Sequence, residues 1–173
     1  DRDGREDIYV GTKFAPNRLF RNLGGIEFEE VAVPAGVADD GTTNAALWAD
    51  FNNDGWLDLI TGNYLDPNRL YLNNGDGTFT DLALVYETEN FGCTLATRNT
   101  DLEFDGDPDV LVGNDFGEYI IPNKLYRNNY PLELFSEISS PSNAAAQMYS
   151  MGIATGDYDH DGDLDHYITN LGR

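Results

Sequence analysis

The chain has 173 residues, of which 40% are hydrophobic, and its 31 acidic and 10 basic side chains give a formal net charge of −21. This length fits one compact domain or part of a larger one, and the charge argues against binding nucleic acid or an anionic membrane through a basic patch. No stretch reaches the ~20 consecutive apolar residues of a membrane-spanning helix, and no segment has the pattern of a signal peptide.

An acidic motif, D-x-[DNE]-x-D-G-x-x-D, recurs along the chain. Complete copies begin at Asp50, Asp101 and Asp157, and residues 1–7 match positions 3 to 9 of a further copy when the glycines are aligned. The copies lie 51 to 56 residues apart. This spacing predicts one propeller segment over 1–173, with repeats of approximately 1–49, 50–100, 101–156 and 157–173, the first and last incomplete.

The residues after each acidic motif have the pattern of short β-strands. An apolar triplet comes first and predicts a short buried strand; the triplets are 8–10, 59–61, 110–112 and 166–168. A P-N-[RK]-L-[FY]-x-N segment follows at 16–22, 67–73 and 122–128, and its polar and apolar residues largely alternate as in a half-buried strand. Hairpin turns are predicted at Gly24-Gly25 and at residues 74–77.

The rest of each repeat predicts two more strands. A third strand carries Phe28, Phe79 or Phe135, and a fourth runs into the next acidic motif. The less regular segment 94–100 indicates a bulge, and residues 36–44 and 139–149 are predicted to be surface loops. Four strands in ~50 residues without a helical period predict an all-β fold of four-stranded antiparallel β-propeller blades, present as a partial propeller or fragment.

The acidic motif has the composition of a calcium site. Ca²⁺ takes six to eight hard oxygen ligands, alternating carboxylates in a tight loop can converge on one ion, and the glycine at position 6 permits the sharp turn. We predict three complete sites and one partial site, in which positions 1, 3, 5 and 9 supply side-chain oxygens and position 7 a carbonyl. The predicted ligands are Asp1, Asp3, Asp7, Asp50, Asn52, Asp54, Trp56, Asp58, Asp101, Glu103, Asp105, Asp107, Asp109, Asp157, Asp159, Asp161, Asp163 and Asp165.

Other interpretations of the motif fit less well. A single D-G sequence is a good turn without any metal, but three complete matches in phase with a strand repeat favour binding. Magnesium prefers fewer protein ligands, and zinc prefers Cys and His, which are missing from the ligand positions. An EF-hand needs an acid at position 12, where this chain has Thr61, Val112 and Ile168.

Four features together resemble the FG-GAP/VCBS repeat proteins. They are the acidic motif, the P-N-[RK]-L-[FY]-x-N strand, the G-x-F hairpin and the Met151–Asp157 approach to the last loop. The similarity is greatest to the bacterial and cartilage acidic protein group and more distant to the integrin α-subunit propeller. The resemblance implies calcium binding by the loop side chains and a seven-bladed propeller, usually extracellular and engaged in adhesion or recognition. Phe91-Gly92 and Phe116-Gly117 lack the Gly-Ala-Pro that would complete an integrin-like motif.

Few residues favour catalysis. His160 at position 4 is predicted to be solvated, and His166, which begins a predicted strand, to be packed and hydrogen-bonded. Ser150 has no obvious base partner, so we predict that the protein is not an enzyme. Trp48, Trp56 and most of the tyrosines are expected to pack between strands, and Cys93 to pack as a small hydrophobe.

We therefore expect a secreted or cell-surface calcium-binding propeller that recognises a protein or glycan ligand, or further copies of itself, without nucleic-acid binding or membrane insertion. One alternative is a structural subunit of an extracellular filament or surface array, and another is the propeller part of a secreted carbohydrate-active enzyme. We also expect that three blades and a remnant leave the ring open, with unpaired strand edges at both ends.

Overall fold

The computed structural model describes residues 1–172 and confirms the all-β expectation. One short helix, α1 (Ala32–Ala35), accompanies the strands of the described chain. The strands are β1 (Ile8–Val10), β2 (Arg18–Gly24), β3 (Glu27–Glu30), β4 (Thr43–Ala49), β5 (Asp58–Asn63), β6 (Arg69–Asn73), β7 (Phe79–Asp81), β8 (Cys93–Thr100), β9 (Asp109–Asp115), β10 (Lys124–Asn129), β11 (Glu133–Glu137), β12 (Ser150–Gly156) and β13 (Asp165–Asn170).

The strands form four consecutive antiparallel sheets. Their orders are β1-β2-β3, β4-β5-β6-β7, β8-β9-β10-β11 and β12-β13, so every hydrogen-bonded neighbour is also a neighbour in sequence. Strand β8 lies against both β4 and β12, which places the first strands of successive sheets side by side. This arrangement is consistent with a partial β-propeller.

The acidic motifs join the first and second strands of the sheets. Residues 50–57 connect β4 to β5, 101–108 connect β8 to β9, and 157–164 connect β12 to β13. A four-stranded sheet therefore begins one strand before the acidic motif that opens the sequence repeat. Because each motif links the same two strands of its sheet, the acidic loops lie at the same end of successive sheets.

The hydrophobic core lies between neighbouring sheets, and alternate residues of one strand face different interfaces. Leu59 packs with Leu19 and Tyr71 on the side of the first sheet, whereas Ile60 packs with Val110 and Val112 on the side of the third. A strand enclosed on both faces is buried along its whole length, as β5 and β9 are. The period of two along a strand thus distributes its side chains between two cores.

The prediction of buried apolar triplets is right for the two middle copies and wrong for the outer two. Ile8 and Val10 are 46% and 40% exposed, and Tyr167 is 72% exposed. The equivalent residues of β5 and β9 are buried because sheets pack on both of their faces, whereas no described sheet covers the outer faces of β1 and β13.

The predicted turns and loops are mostly confirmed. The β2–β3 and β6–β7 hairpins turn on glycines with positive φ, and the expected bulge lies between Thr94 and Ala96. The segment 36–44 is less exposed than expected, because Val37 and Asp39 are buried beside the second sheet, and β4 already begins at Thr43. Among residues 1–172, no helix has both the length and the apolar character needed to cross a membrane.

Candidate functional site

Four acidic loops share one backbone conformation. We number them loop 1 (residues 1–7), loop 2 (50–58), loop 3 (101–109) and loop 4 (157–165). The position-6 glycines have φ between 83° and 96°, in agreement with the turn that the sequence predicts. Position 4 is also left-handed in every loop, with φ of 60° at Arg2, 53° at Asn53, 57° at Phe104 and 63° at His160. These four residue types are so different that no sequence signal marks the position.

In loop 2 the predicted ligands also fold the loop. The two carboxylate oxygens of Asp50 accept hydrogen bonds from the amides of Asp54 (3.1 Å) and Gly55 (2.8 Å). The Asp54 carboxylate accepts one from the Trp56 amide at 2.7 Å, and the Asn52 carbonyl oxygen accepts one from Asp54 at 3.2 Å. Because each oxygen has more than one acceptor direction, these bonds leave it able to contact a cation as well.

Position 9 is buried under the loop. Asp58 is fully buried, and its two oxygens accept hydrogen bonds from the amides of Phe51 (2.9 Å) and Asn73 (2.8 Å). Burial raises the pKa of Asp58 from its ordinary value of 3.8 to about 6, and the nearby carboxylates of Asp54 and Asp50 act in the same direction. A cation beside the loop would reverse this effect, since it favours the ionised carboxylate.

Loop 3 repeats this scheme with one difference. Asp101 accepts hydrogen bonds from the amides of Asp105 and Gly106, and burial raises the pKa of Asp109, held by the amides of Leu102 and Asn128, to about 6. At position 3, however, the longer Glu103 side chain pairs with Arg127 of β10 at 3.4 Å. This ion pair directs one predicted ligand towards β10.

Loop 4 brings predicted ligands closest together. One ligand oxygen each from Asp157, Asp159 and Asp165 lies within 4.8 Å of the others, the one such group of three found in the described residues. Asp157 Oδ2 accepts a hydrogen bond from Gly162 at 3.1 Å, but Asp157 Oδ1 is buried without any hydrogen-bond partner in the described chain. An unpartnered buried carboxylate oxygen among hard oxygen donors fits a calcium ion well.

Loop 1 already contains a positive charge among its acids. Arg5, at position 7, donates hydrogen bonds from its backbone amide and its guanidinium to Asp3. The backbone bond is the main reason that the pKa of Asp3 lies below its ordinary value. An arginine in this place competes with a metal ion for the same carboxylate.

The position-7 side chains point to different partners. Trp56 lies against the hairpin glycine Gly75, Asp107 accepts a hydrogen bond from Asn53, and Asp163 is exposed. A main-chain carbonyl is therefore the group that these positions share, as the calcium prediction supposes.

Sequence reasoning missed a role for the second asparagine of the P-N-[RK]-L-[FY]-x-N segment. Asn22, Asn73 and Asn128 each donate a backbone hydrogen bond of 2.8 Å to the position-9 aspartate of their own loop. Their side chains donate to the carbonyl at position 8 of the same loop, at 3.0 to 3.4 Å. Each asparagine therefore clamps the end of an acidic loop, and its recurrence in the motif is the signal that could have revealed it.

The first asparagine of the segment connects one sheet to the next. Asn68 accepts a hydrogen bond from the Asn63 amide at 2.7 Å and donates one to Thr94 of the following sheet at 3.1 Å. Asn17 and Thr43 make the same contact at 2.7 Å, and all of these side chains are buried. These bonds lie at the end of the sheets opposite to the acidic loops.

The remaining polar residues agree with their predicted environments. His160 is exposed, while His166 is half-buried, and its Nδ1 lies 3.2 Å from the Thr155 hydroxyl. Burial lowers the pKa of His166. Cys93 is fully buried, as expected of a packed cysteine.

Comparison with known proteins identifies similar repeats over nearly the whole chain. The model of the FG-GAP-like repeat matches residues 1–61, 50–112 and 101–168. Cartilage acidic protein 1 of Xenopus tropicalis is 33% identical over 175 residues, and that of Mus musculus 30% identical over 174. Each alignment covers 95% of this chain and 26% of the relative, so the chain spans about a quarter of the length of these curated relatives.

Proposed function

The chain belongs to the FG-GAP-like repeat family, and from this we propose that it is a calcium-binding propeller segment that mediates recognition or adhesion outside the cytoplasm. The observation that carries the calcium proposal is loop 4. There Asp157, Asp159 and Asp165 converge within 4.8 Å, and Asp157 Oδ1 is buried without a hydrogen-bond partner. Loops 2 and 3 contain side-chain oxygens at the same four positions, with Glu103 of loop 3 paired to Arg127, and we propose that both loops bind the same ion.

Calcium matches the chemistry of these loops better than other common ions do. The side chains at positions 1, 3, 5 and 9 offer only oxygen donors, and a position-7 carbonyl adds another, which approaches the six to eight ligands that Ca²⁺ takes. Bound calcium would supply positive charge where the chain otherwise concentrates carboxylates. The residues themselves hold the loop in place, since the backbone bonds to Asp50, Asp54 and Asp58 form within loop 2.

The proposed location follows from the expected affinity. Extracellular calcium modules work at about 10⁻⁴–10⁻³ M, a concentration that the cytosol does not provide. The name of the relatives refers to cartilage and to acidity, and this chain is itself strongly acidic, with a net charge of −21. We therefore propose secretion or display at the cell surface.

A non-catalytic role suits the polar residues of the chain. Ser150 is fully buried and donates a hydrogen bond to Asn123 at 2.8 Å, so its hydroxyl serves the contact between two sheets. His160 is exposed on an acidic loop, and His166 packs against Thr155. We accordingly propose a protein or glycan ligand in place of a substrate.

The exposed outer sheets support a further structural role. Ile8 and Val10 of β1 are exposed, whereas Leu59 and Thr61, the matching residues of β5, are fully buried. We propose that further repeats, from the same polypeptide or from another copy, cover this face. Light scattering tests this idea, because covering the face by self-association predicts a concentration-dependent mass, which a strictly monomeric 173-residue chain would contradict.

Two substitutions in loop 4 test calcium binding directly. Asp159→Ala removes one of the three converging carboxylates. Asp163→Ala removes the same charge from an exposed side chain at position 7, where the backbone carbonyl is the proposed ligand. Calorimetric titration and native mass spectrometry should show one calcium fewer in Asp159→Ala and an unchanged number in Asp163→Ala. An equal loss in both variants, or no binding at millimolar calcium, would refute the proposal.

A further inference from the structure

Adjacent acidic loops contact one another through their position-4 side chains. The backbone at this position is left-handed in every loop, and in loops 1 and 2 the side chain reaches the next loop. In loop 1, the Arg2 guanidinium lies over the Trp56 indole of loop 2, with its central carbon 4.9 Å from the ring centroid. In loop 2, the Asn53 side-chain amide donates a hydrogen bond to the Asp107 carboxylate of loop 3. In both cases position 4 of one loop meets position 7 of the next.

The contact between Asn53 and Asp107 joins segments that carry proposed calcium ligands. Asn53 lies between Asn52 and Asp54 of loop 2. Asp107 belongs to loop 3, where its backbone amide donates a hydrogen bond to Asp105 at 3.0 Å. Asp107 is also largely buried, at 8% exposure. The bond is therefore buried at its Asp107 end and exposed at its Asn53 end, and it links the two segments.

A second, buried contact joins the same two loops. Asn128 of β10 donates its backbone amide to Asp109 of loop 3 at 2.8 Å. Its side-chain amide donates to the Phe51 carbonyl of loop 2, 77 residues away in sequence, at 2.7 Å. Asn128 is only 1% exposed, so one rigidly held side chain supports both loops at once.

We propose that calcium binding at loop 2 and calcium binding at loop 3 are coupled through these contacts, so that occupancy of one loop raises the affinity of the other. This inference rests on the proposed function. A bound ion would restrict the motion of the ligand side chains of its loop, and the Asn53 and Asn128 contacts would transmit part of that restriction to the neighbouring loop. Loop 4 lacks the equivalent polar link to loop 3, since Phe104 at position 4 has no hydrogen-bonding group in its side chain and is 56% exposed.

The coupling has a measurable size and is reciprocal. Couplings between binding sites typically change affinity by about 5- to 150-fold, and the two contacts here place this one near the lower limit. Emptying loop 3 should thus weaken loop 2 about 5-fold, and emptying loop 2 should weaken loop 3 by the same factor.

Terbium provides a probe for loop 2. Tb³⁺ occupies calcium sites of this oxygen-donor type, and Trp56, whose carbonyl is a proposed ligand of loop 2, would sensitise its emission. Titrations compare the wild type, Asp105→Ala, Asn53→Gly and the double variant. Glycine adopts the φ of 53° at position 53 without strain, so Asn53→Gly removes the contact and keeps the turn. Asp105→Ala should raise the terbium Kd of loop 2 about 5-fold in the wild-type background and less than about 2-fold in the Asn53→Gly background.

Two controls separate coupling from general damage. Asp159→Ala empties loop 4, which does not adjoin loop 2, and should leave the terbium Kd of loop 2 within about 2-fold of the wild type. In EGTA, hydrogen exchange of the Gly106 and Asp107 amides of loop 3 should be faster in Asn53→Gly than in His160→Gly, which makes the matching change at position 4 of loop 4.

Three results would each overturn the coupling while leaving calcium binding intact. They are an equal rise of the loop 2 Kd for Asp105→Ala in both backgrounds, a rise of the same size for Asp159→Ala, and hydrogen exchange in Asn53→Gly that equals that of the wild type. The loss of Trp56-sensitised emission from every protein would instead overturn the proposed calcium site of loop 2, and the coupling with it.

Discussion

Raising the pH in the absence of calcium should destabilise the fold through two buried carboxyl groups. Burial raises the pKa of Asp58 and of Asp109 to about 6 in the folded chain, against an ordinary value of 3.8. Between these two values the folded state binds more protons than the unfolded state, so the free energy of unfolding falls as the pH rises. This contribution is fully present below pH 3.8 and is lost once the pH exceeds about 6.

The size of the effect follows from the difference in pKa. A change of about 2 in pKa corresponds to about 3 kcal/mol for a fully shielded group. The outer side of each loop is open to water, which screens the charge, so we expect about 1 to 2 kcal/mol from each of Asp58 and Asp109. Together they should lower the free energy of unfolding by about 2 to 4 kcal/mol between pH 4 and pH 7.

Calcium should reverse this slope. A bound cation stabilises the ionised carboxylates and competes with protons for them, so the calcium-loaded protein should become more stable as the pH rises. Urea unfolding, followed by tryptophan fluorescence at several pH values in EGTA and in calcium, measures both slopes.

The Asp58→Asn variant serves as the control for this experiment. It cannot ionise, so it should lose about half of the slope in EGTA, whereas the loss of a hydrogen-bond acceptor lowers its stability similarly at every pH. Slopes of the same sign with and without calcium, or an Asp58→Asn slope equal to that of the wild type, would refute the reasoning.

Three further substitutions test the packing and turns that hold the loops. Asn68→Ala removes a buried hydrogen bond between sheets and should lower the free energy of unfolding in urea by about 2 to 4 kcal/mol. Asn74→Ala, at an exposed position, should change it little, and equal losses in the two variants would contradict the bridging role of Asn68. Phe51→Ala leaves a cavity at a fully buried position and should lower the free energy of unfolding by about 3 to 5 kcal/mol. A loss below about 1 kcal/mol would argue against a hydrophobic core between the second and third sheets. Gly55→Ala places a side chain at φ of 86° and should lower the free energy of unfolding by about 1 to 2 kcal/mol. Gly156→Ala, with open space around the added side chain, should be tolerated. An unchanged free energy of unfolding in Gly55→Ala would disprove the requirement for a left-handed turn.

Features that depend on neighbouring residues in the chain are predictable from the sequence. The spacing of the acidic motifs predicted the repeat. The glycines at position 6 predicted the turns, because a few consecutive residues decide the conformation of a turn. The alternation within P-N-[RK]-L-[FY]-x-N likewise predicted β2, β6 and β10, since a strand shows its two faces in its own residues. The set of candidate ligands followed from the same local spacing.

Features that depend on how strands assemble and sheets pack are visible only in the folded chain. The sequence could not distinguish the exposed Ile8 from the buried Leu59, because their burial depends on whether a sheet packs beside the strand. It did not show that Glu103 turns to Arg127, that Asn128 reaches the Phe51 carbonyl, or that Asn53 reaches Asp107. These contacts join residues that lie 24, 77 and 54 positions apart. The first lies within one sheet and the other two join different sheets, and no local pattern encodes them because the partners meet only in the folded chain.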